Sequence, residues 1–373
     1  MQSNVISVQT VVVGGGPSGL VVAYYLSRSG EDFVVLEADA RIGDSWRRRY
    51  DSLRLFSPPA YASLPGWRIA PAATFPTREE MADYLEAYAA RFRLPVHTDS
   101  AVRRVSRSAD GRFLVETSRG EYRAQRVVVA TGMHQVPQVP SVAAELDPSI
   151  RQLTSISYRN LKQLAPGGVL VVGAGNSGTD IALEAAAAGH PTWIAGRHPG
   201  QVPFDIDSPA SRPGIAVAMF VFRHVLTLRT PMGRKQRSAH TGHGVNLVRN
   251  KLADLEAAGI TRIGRIDAVS DGRPVSSDGV RPDVSTVVWC TGSRPDHSFL
   301  DLPLRYDDDG LPRHDRGVAE EPGLYFLGLS FQFALASETI QGLARDARWI
   351  VRQLRRAGTR TAERESSTTL TAA

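Results

Sequence analysis

Two glycine triads are spaced for chemistry, Gly14-x-Gly16-x-x-Gly19 and Gly173-x-Gly175-x-x-Gly178. Each follows a β-branched run (residues 11–13 and 169–172) and opens an apolar helical pattern. Glycines at this spacing let a strand turn tightly into a helix whose free N–H groups meet a dinucleotide pyrophosphate. Pro17 and Ser18 lie inside the first triad, Asn176 and Ser177 inside the second. The apolar residues 33–36 end in Glu37, a carboxylate suited to a ribose hydroxyl pair. The equivalent position of the second copy, eighteen residues beyond its last glycine, is Gly196 with Arg197 next. A carboxylate there would repel a 2′-phosphate and an arginine can pair with it, so the second site is expected to prefer NADPH over NADH. The bland alternatives are an ordinary glycine-bearing turn and an arginine that merely follows its strand.

These residues need two strand–turn–helix–strand units, and the chain supplies them at one period. The interval from first glycine to a terminal Thr-Gly is 117 residues for Gly14 to Thr131 and 118 for Gly173 to Thr291, with Gly132 and Gly292 following. Repetition at that length predicts two similar α/β modules. Between them, Thr77-x-x-Glu80 reads as a capping box for a helix with Met81, Tyr84, Leu85 and Tyr88 on one face. Short strands are expected over 96–129 and again over 260–288, with Asp-Gly or Arg-Gly turns. Pro137, Pro140 and Pro148 mark a linker. Residues 51–67 are aromatic and proline-rich without periodicity, as suits a loop over a planar cofactor or a braced surface loop. Residues 214–234 read as a buried or dimer-contact helix, with contact to a membrane surface or the lining of a substrate pocket as the alternatives, and are too short and too interrupted to span a bilayer. Residues 234–243 read as a mobile loop, 343–354 as a helix, and 357–373 as a flexible tail.

The 373 residues are 42% hydrophobic and 22% charged, within the globular range. The single cysteine, Cys290, leaves no disulfide, no CxxC pair and no dithiol relay. With no N-terminal signal pattern, the expectation is a cytoplasmic protein without stable membrane insertion. The net charge of +6 comes with arginines scattered along the chain, the densest run being 47–49, so nucleic-acid binding is not expected.

With both modules placed, the sequence resembles the class B flavin-dependent monooxygenases, the group of the flavin-containing monooxygenases and the plant auxin-forming enzymes. The match rests on GGGPSG with Glu37, Ile42-Gly-Asp-Ser-Trp46, the two Thr-Gly strand ends, GAGNSGTD with Arg197, and the C-terminal GLYFLGLS…GLARDA. The resemblance implies two Rossmann-like dinucleotide-binding domains, three-layered, each with a small β-meander. It places the NADPH domain (146–295, with a variable segment 200–250) inside an FAD domain (1–145 and 296–356). FAD would lie on Gly14, Gly16, Pro17, Ser18, Gly19 and Glu37, and NADPH on Gly173, Gly175, Asn176, Ser177, Gly178 and Arg197. The Thr131-Gly132 and Thr291-Gly292 pairs belong to the same cofactor-binding set. It implies oxygenation of a small molecule at N, S or a carbonyl carbon by O2 held as a C4a-(hydro)peroxyflavin. Trp46, Ser57 and Thr154 are the flavin-proximal candidates. Thr154 and Ser57 stand where the family places a histidine and an asparagine, and only Tyr158 of the intervening fingerprint is kept. That departure motivates the alternative of an NADPH-dependent flavoprotein reductase or oxidase without oxygen insertion. His134, just after the first Thr-Gly, is a candidate replacement polar group. A homodimer is one use for the 214–234 helix.

Overall fold

The computed structural model describes residues 5–69, 75–202, 208–240 and 246–371. The first unit is built from β1 (Val5–Val13), α1 (Pro17–Ser27), β2 (Phe33–Leu36), α2 (Asp44–Arg47), α3 (Arg78–Arg91), β3 (Val96–His97), β4 (Val102–Arg107), β5 (Phe113–Thr117) and β6 (Glu121–Val129). The short β7 (Val136–Pro137) then leads to the second unit. That unit contains β8 (Arg151–Thr154), β9 (Val169–Val172), α4 (Asn176–Ala187), β10 (Thr192–Ala195), α5 (Arg212–Phe220), α6 (Pro231–His240) and α7 (Leu252–Ala257). It closes with β11 (Thr261–Ile263), β12 (Ile266–Ser270), β13 (Arg273–Ser276) and β14 (Thr286–Trp289). The chain returns through β15 (Ser293–Arg294), β16 (His314–Asp315), β17 (Val318–Ala319), β18 (Leu324–Phe326) and α8 (Ile340–Thr371).

The first sheet runs β16-β17-β18-β6-β1-β2-β3, with β4 and β5 branching from β6 as an antiparallel meander. Its centre is parallel: β1 pairs with both β2 and β6, and β18 pairs with β6 from Leu324↔Val127 to Phe326↔Val129. The second sheet, β11-β10-β9-β14-β8, is parallel throughout. Parallel strands covered on both faces must be apolar at every position, which explains the unbroken valine runs. Along β1 the side chains alternate between two cores. Val12 packs with helices α1, α3 and α8, whereas Val11 and Val13 pack with the meander. In β9, Val169 and Val171 face α4 and α7, while Leu170 and Val172 face Trp289 and Val287 on the far side. Two three-layer Rossmann units result, the second inserted into the first, because β18 completes the sheet that β1 began.

Four expectations change in extent or character. The second unit carries a two-stranded hairpin, β12–β13, where a meander was expected. Residues 234–240, read as a mobile loop, belong to α6, and 241–243 lie outside the described residues. The stretch 214–234 is two helices, α5 and α6, joined through a π-helical turn (Val221–Val225), and it exposes Val217 and Phe220. The last helix continues to Thr371 where the reading ended it at Leu354. No Pro interrupts residues 355–371, so nothing in the backbone chemistry of that stretch forces a stop.

Candidate active site

At the first triad Gly14 has φ +104°, and a Cβ there would stand 2.9 Å from the Ala130 carbonyl oxygen. A Cβ at Gly19 would stand 1.8 Å from the Gly14 carbonyl oxygen, whereas one at Gly16 would meet nothing within 4 Å. Two glycines therefore close the turn upon the protein, and the middle one keeps a space open. The second triad repeats this: Gly173 has φ +111° and a Cβ there would stand 2.3 Å from the Cys290 carbonyl oxygen, a Cβ at Gly178 would stand 1.8 Å from the Gly173 carbonyl oxygen, and one at Gly175 would meet nothing within 4 Å. Neither α1 nor α4 has a side-chain cap from its N-cap residue, Gly16 or Gly175, and a helix start of this kind presents N–H groups that no intrahelical carbonyl takes up. Ser18 lies against the returning segment, where a Cβ at Gly328 would come within 2.5 Å of its Oγ.

Glu37 sits over the first turn and accepts N–H bonds from Gly15 at 2.7 Å and Asp39 at 3.0 Å. Burial raises its pKa, opposed by those two N–H donors. Each carboxylate oxygen keeps further acceptor capacity for a ribose hydroxyl. In the second unit Gly196, at φ +116°, carries the chain past Gly173, and Arg197 beside it is exposed. The two Thr-Gly ends also differ. Thr131 Oγ1 is buried without a partner, but Thr291 Oγ1 donates to the Gln138 carbonyl. Gly132 and Gly292 both have positive φ, +78° and +92°. Cys290 is half-buried, and desolvation with the nearby Asp180 carboxylate pushes its thiol up to about 12.

The flavin-proximal candidates come from three places. Trp46 lies on α2, half-buried against the first core. That helix seats on α3 because Gly43, at φ +90°, lacks a Cβ, which would stand 2.6 Å from the Ala82 carbonyl oxygen. Arg47 ties it down through Asp44, Asp83 and Glu86. Ser57 is half-buried in the turn between the Arg54–Thr77 bridge and the 3-10 helix Pro59–Tyr61. Thr154 ends β8, where its hydroxyl is engaged with Ser157 Oγ at 3.1 Å. His134 Nδ1 is 2.8 Å from Ser293 Oγ, across the ribbon that β7 and β15 form where the chain leaves and re-enters the first unit.

A second cluster escaped the sequence reading. Tyr50 donates to Asp180 Oδ2 at 2.9 Å, Arg249 donates to the same oxygen at 2.6 Å, and Asn250 reaches Oδ1 at 2.6 Å. Asn176 accepts from Val248 N and donates to the Asn246 carbonyl. Residues 246–250 are thereby fastened to the first turns of α4, with Tyr50 of the first unit locked to the same carboxylate. Burial raises the Asp180 pKa and the three donors oppose it. Asp180 and Asn176 lie within GAGNSGTD, but nothing local marks Tyr50 or Arg249 as their partners.

Comparison with known proteins agrees with this architecture. The family model described as pyridine nucleotide-disulphide oxidoreductase matches residues 11–211. An uncharacterized CzcO-like oxidoreductase of Geobacillus kaustophilus is 34% identical over 349 residues, covering 93% of this chain and 98% of that protein. A probable indole-3-pyruvate monooxygenase of Arabidopsis thaliana, YUCCA9, is 28% identical over 86% of this chain and 84% of its own. Among solved structures, a flavin-containing monooxygenase from Stenotrophomonas maltophilia superposes with a TM-score of 0.77 at 29% identity, covering 94% of this chain and 98% of its own. The lone cysteine sets this chain apart from the dithiol chemistry in the family's description. The chain belongs to the pyridine nucleotide-disulphide oxidoreductase family, and within it to the group of flavin-containing monooxygenase-like enzymes.

Proposed function

We propose that this enzyme is an FAD-dependent, NADPH-consuming monooxygenase that places one oxygen atom of O2 on a small molecule, at N, S or a carbonyl carbon. One observation carries the reading: two equivalent glycine cradles with opposite chemistry beside them, Glu37 at the first and Gly196-Arg197 at the second. The residues fit both cofactors. Each cradle is closed by protein at its outer glycines and open at its middle one, and Thr131 Oγ1 is a buried hydroxyl still lacking a partner.

In this reading Gly14, Gly16, Pro17, Ser18 and Gly19 bring the N-terminus of α1 to the FAD pyrophosphate, and Glu37 accepts from the ribose hydroxyls. Gly173, Gly175, Asn176, Ser177 and Gly178 do the same for NADPH, with Arg197 pairing its 2′-phosphate. Thr131-Gly132 and Thr291-Gly292, at the two strand ends, would belong to the same cofactor-binding sets. FAD bound in the first cradle and reduced by NADPH would supply the two electrons that activate O2 for transfer of one of its oxygen atoms, the other leaving as water. The protein's share is to position and to exclude water: Trp46 gives an apolar wall, and Ser57 and Thr154 supply hydroxyls where relatives of this group carry other polar side chains. The location is cytoplasmic. Among the described residues no helix is long and apolar enough to cross a membrane.

The test is spectroscopic. The purified protein is expected to be yellow and to bleach anaerobically with NADPH. Admission of O2 in the presence of NADP⁺ then gives a persistent C4a-adduct absorbance. Immediate return to oxidised flavin with stoichiometric peroxide would instead support an NADPH oxidase or reductase, the reading that Thr154 in place of a titratable imidazole favours.

A further inference from the structure

The net positive charge of this chain has one source. From residue 208 to residue 253 there is no Asp or Glu, while eight Lys and Arg occur; the rest of the chain holds 36 basic and 38 acidic residues. The same stretch bears the largest exposed apolar side chains among the described residues, Val217 at 64%, Phe220 at 59% and Met232 at 60% of their full exposure. On α5 and the π-helical turn, Pro213, Ala216, Val217, Phe220 and His224 are all exposed, a spacing that places them on one helical face. The opposite face is the one that packs: Ile215 is buried, and Met219 Sδ accepts from Gln341. Among the described residues nothing covers this apolar side of α5, and Arg229, Arg234 and Lys235 are exposed a few residues further along the chain.

We propose that this surface docks the enzyme on anionic lipid bilayers, with Val217, Phe220 and Met232 entering the headgroup–acyl boundary and Arg229, Arg234 and Lys235 meeting lipid phosphates. Charge complementarity selects this occupant. A two-fold homodimer would set the patch against itself, bringing like charges face to face. A nucleic acid would satisfy the cations but leave the aliphatic side chains without a partner, whereas a bilayer interface takes both. Docking of this kind needs no spanning helix, and the described residues contain none.

Co-sedimentation of the full-length flavoprotein with vesicles tests this. Vesicles of equal parts phosphatidylcholine and phosphatidylglycerol are expected to retain the protein, phosphatidylcholine alone to retain little, and raised salt to weaken retention. Arg234→Glu/Lys235→Glu should lower vesicle affinity by about tenfold or more. Val217→Glu/Phe220→Glu should do at least as much, with flavin content and melting temperature unchanged in both. Equal retention on neutral and anionic vesicles, or no effect of either double variant, overturns the proposal. So does a wild-type dimer that Val217→Glu/Phe220→Glu converts to monomer, or retention on duplex DNA with none on vesicles. Should Val217→Glu/Phe220→Glu fold poorly, the charge-reversed pair alone decides the matter, because both of its positions are exposed.

Discussion

Gly16 and Gly19 differ in what a single methyl group would meet, and the difference separates binding from folding. At Gly16 the added Cβ meets no protein atom within 4 Å. Gly16→Ala is therefore expected to fold with a melting temperature near that of the FAD-free parent and to purify with little FAD, measured as the ratio of flavin to protein absorbance. A fully yellow Gly16→Ala protein would remove the pyrophosphate from this turn. Arg197→Ala should raise the Kd for NADPH by about tenfold or more while leaving NADH within about twofold, as loss of a charge-assisted phosphate contact demands. Equal losses for the two nucleotides would show that Arg197 does not read the phosphate. His297 offers a pH test. It is buried against the Phe326 ring with Nε2 unpartnered, and burial pushes its pKa down to about 4 from 6.5. A base whose pKa is depressed in the folded state stabilises fully above its unfolded value. That contribution is lost as pH falls from about 6.5 toward 4, on the order of 3 kcal/mol. His297→Phe should flatten this part of the stability–pH curve measured by urea unfolding.

At the scale of elements, the same glycine geometry occurs twice with separable consequences. The Cβ of Gly178→Ala would fall 1.8 Å from a backbone oxygen, so the second strand–turn–helix must distort. FAD should stay bound in the first unit while anaerobic reduction by NADPH is lost. An equally colourless protein would mean that the two units do not fold independently. Both βαβ units were legible in the sequence because their signals are local: a strand buried on both faces is a run of valines, and its turn is a glycine a few residues away. The capping box of α3 was legible for the same reason, and both of its reciprocal bonds form between Thr77 and Glu80. The 212–240 region was not. Its apolar run has the composition of a buried helix, and composition does not say which face finds a partner.

Across the whole molecule, the two units are joined by the β7–β15 ribbon and by Asp180, which ties Tyr50 of one unit to Arg249 and Asn250 of the other. Asp180 and Arg249 keep only 9% and 18% side-chain exposure, so removing the carboxylate strands a nearly buried guanidinium. Asp180→Ala should cost about 2 kcal/mol of stability, allowing for partial screening, and should open residues 246–251 to limited proteolysis. An unchanged digestion pattern would show that Asn176 alone secures that segment.

The sequence by itself determined that there are two dinucleotide cradles of one design, that the carboxylate of the first is replaced by Gly196-Arg197 in the second, and that no dithiol chemistry is available. Those facts reside in residue type and short spacing, which survive any arrangement of the rest. Only the tertiary structure decided that Thr131 keeps a free buried hydroxyl where Thr291 spends its own on Gln138. It alone paired Tyr50 with Asp180 across 130 residues, and it alone turned the apolar face of α5 outward. These outcomes depend on which surfaces meet once both sheets have formed, and no periodicity in a single stretch of chain encodes such a meeting.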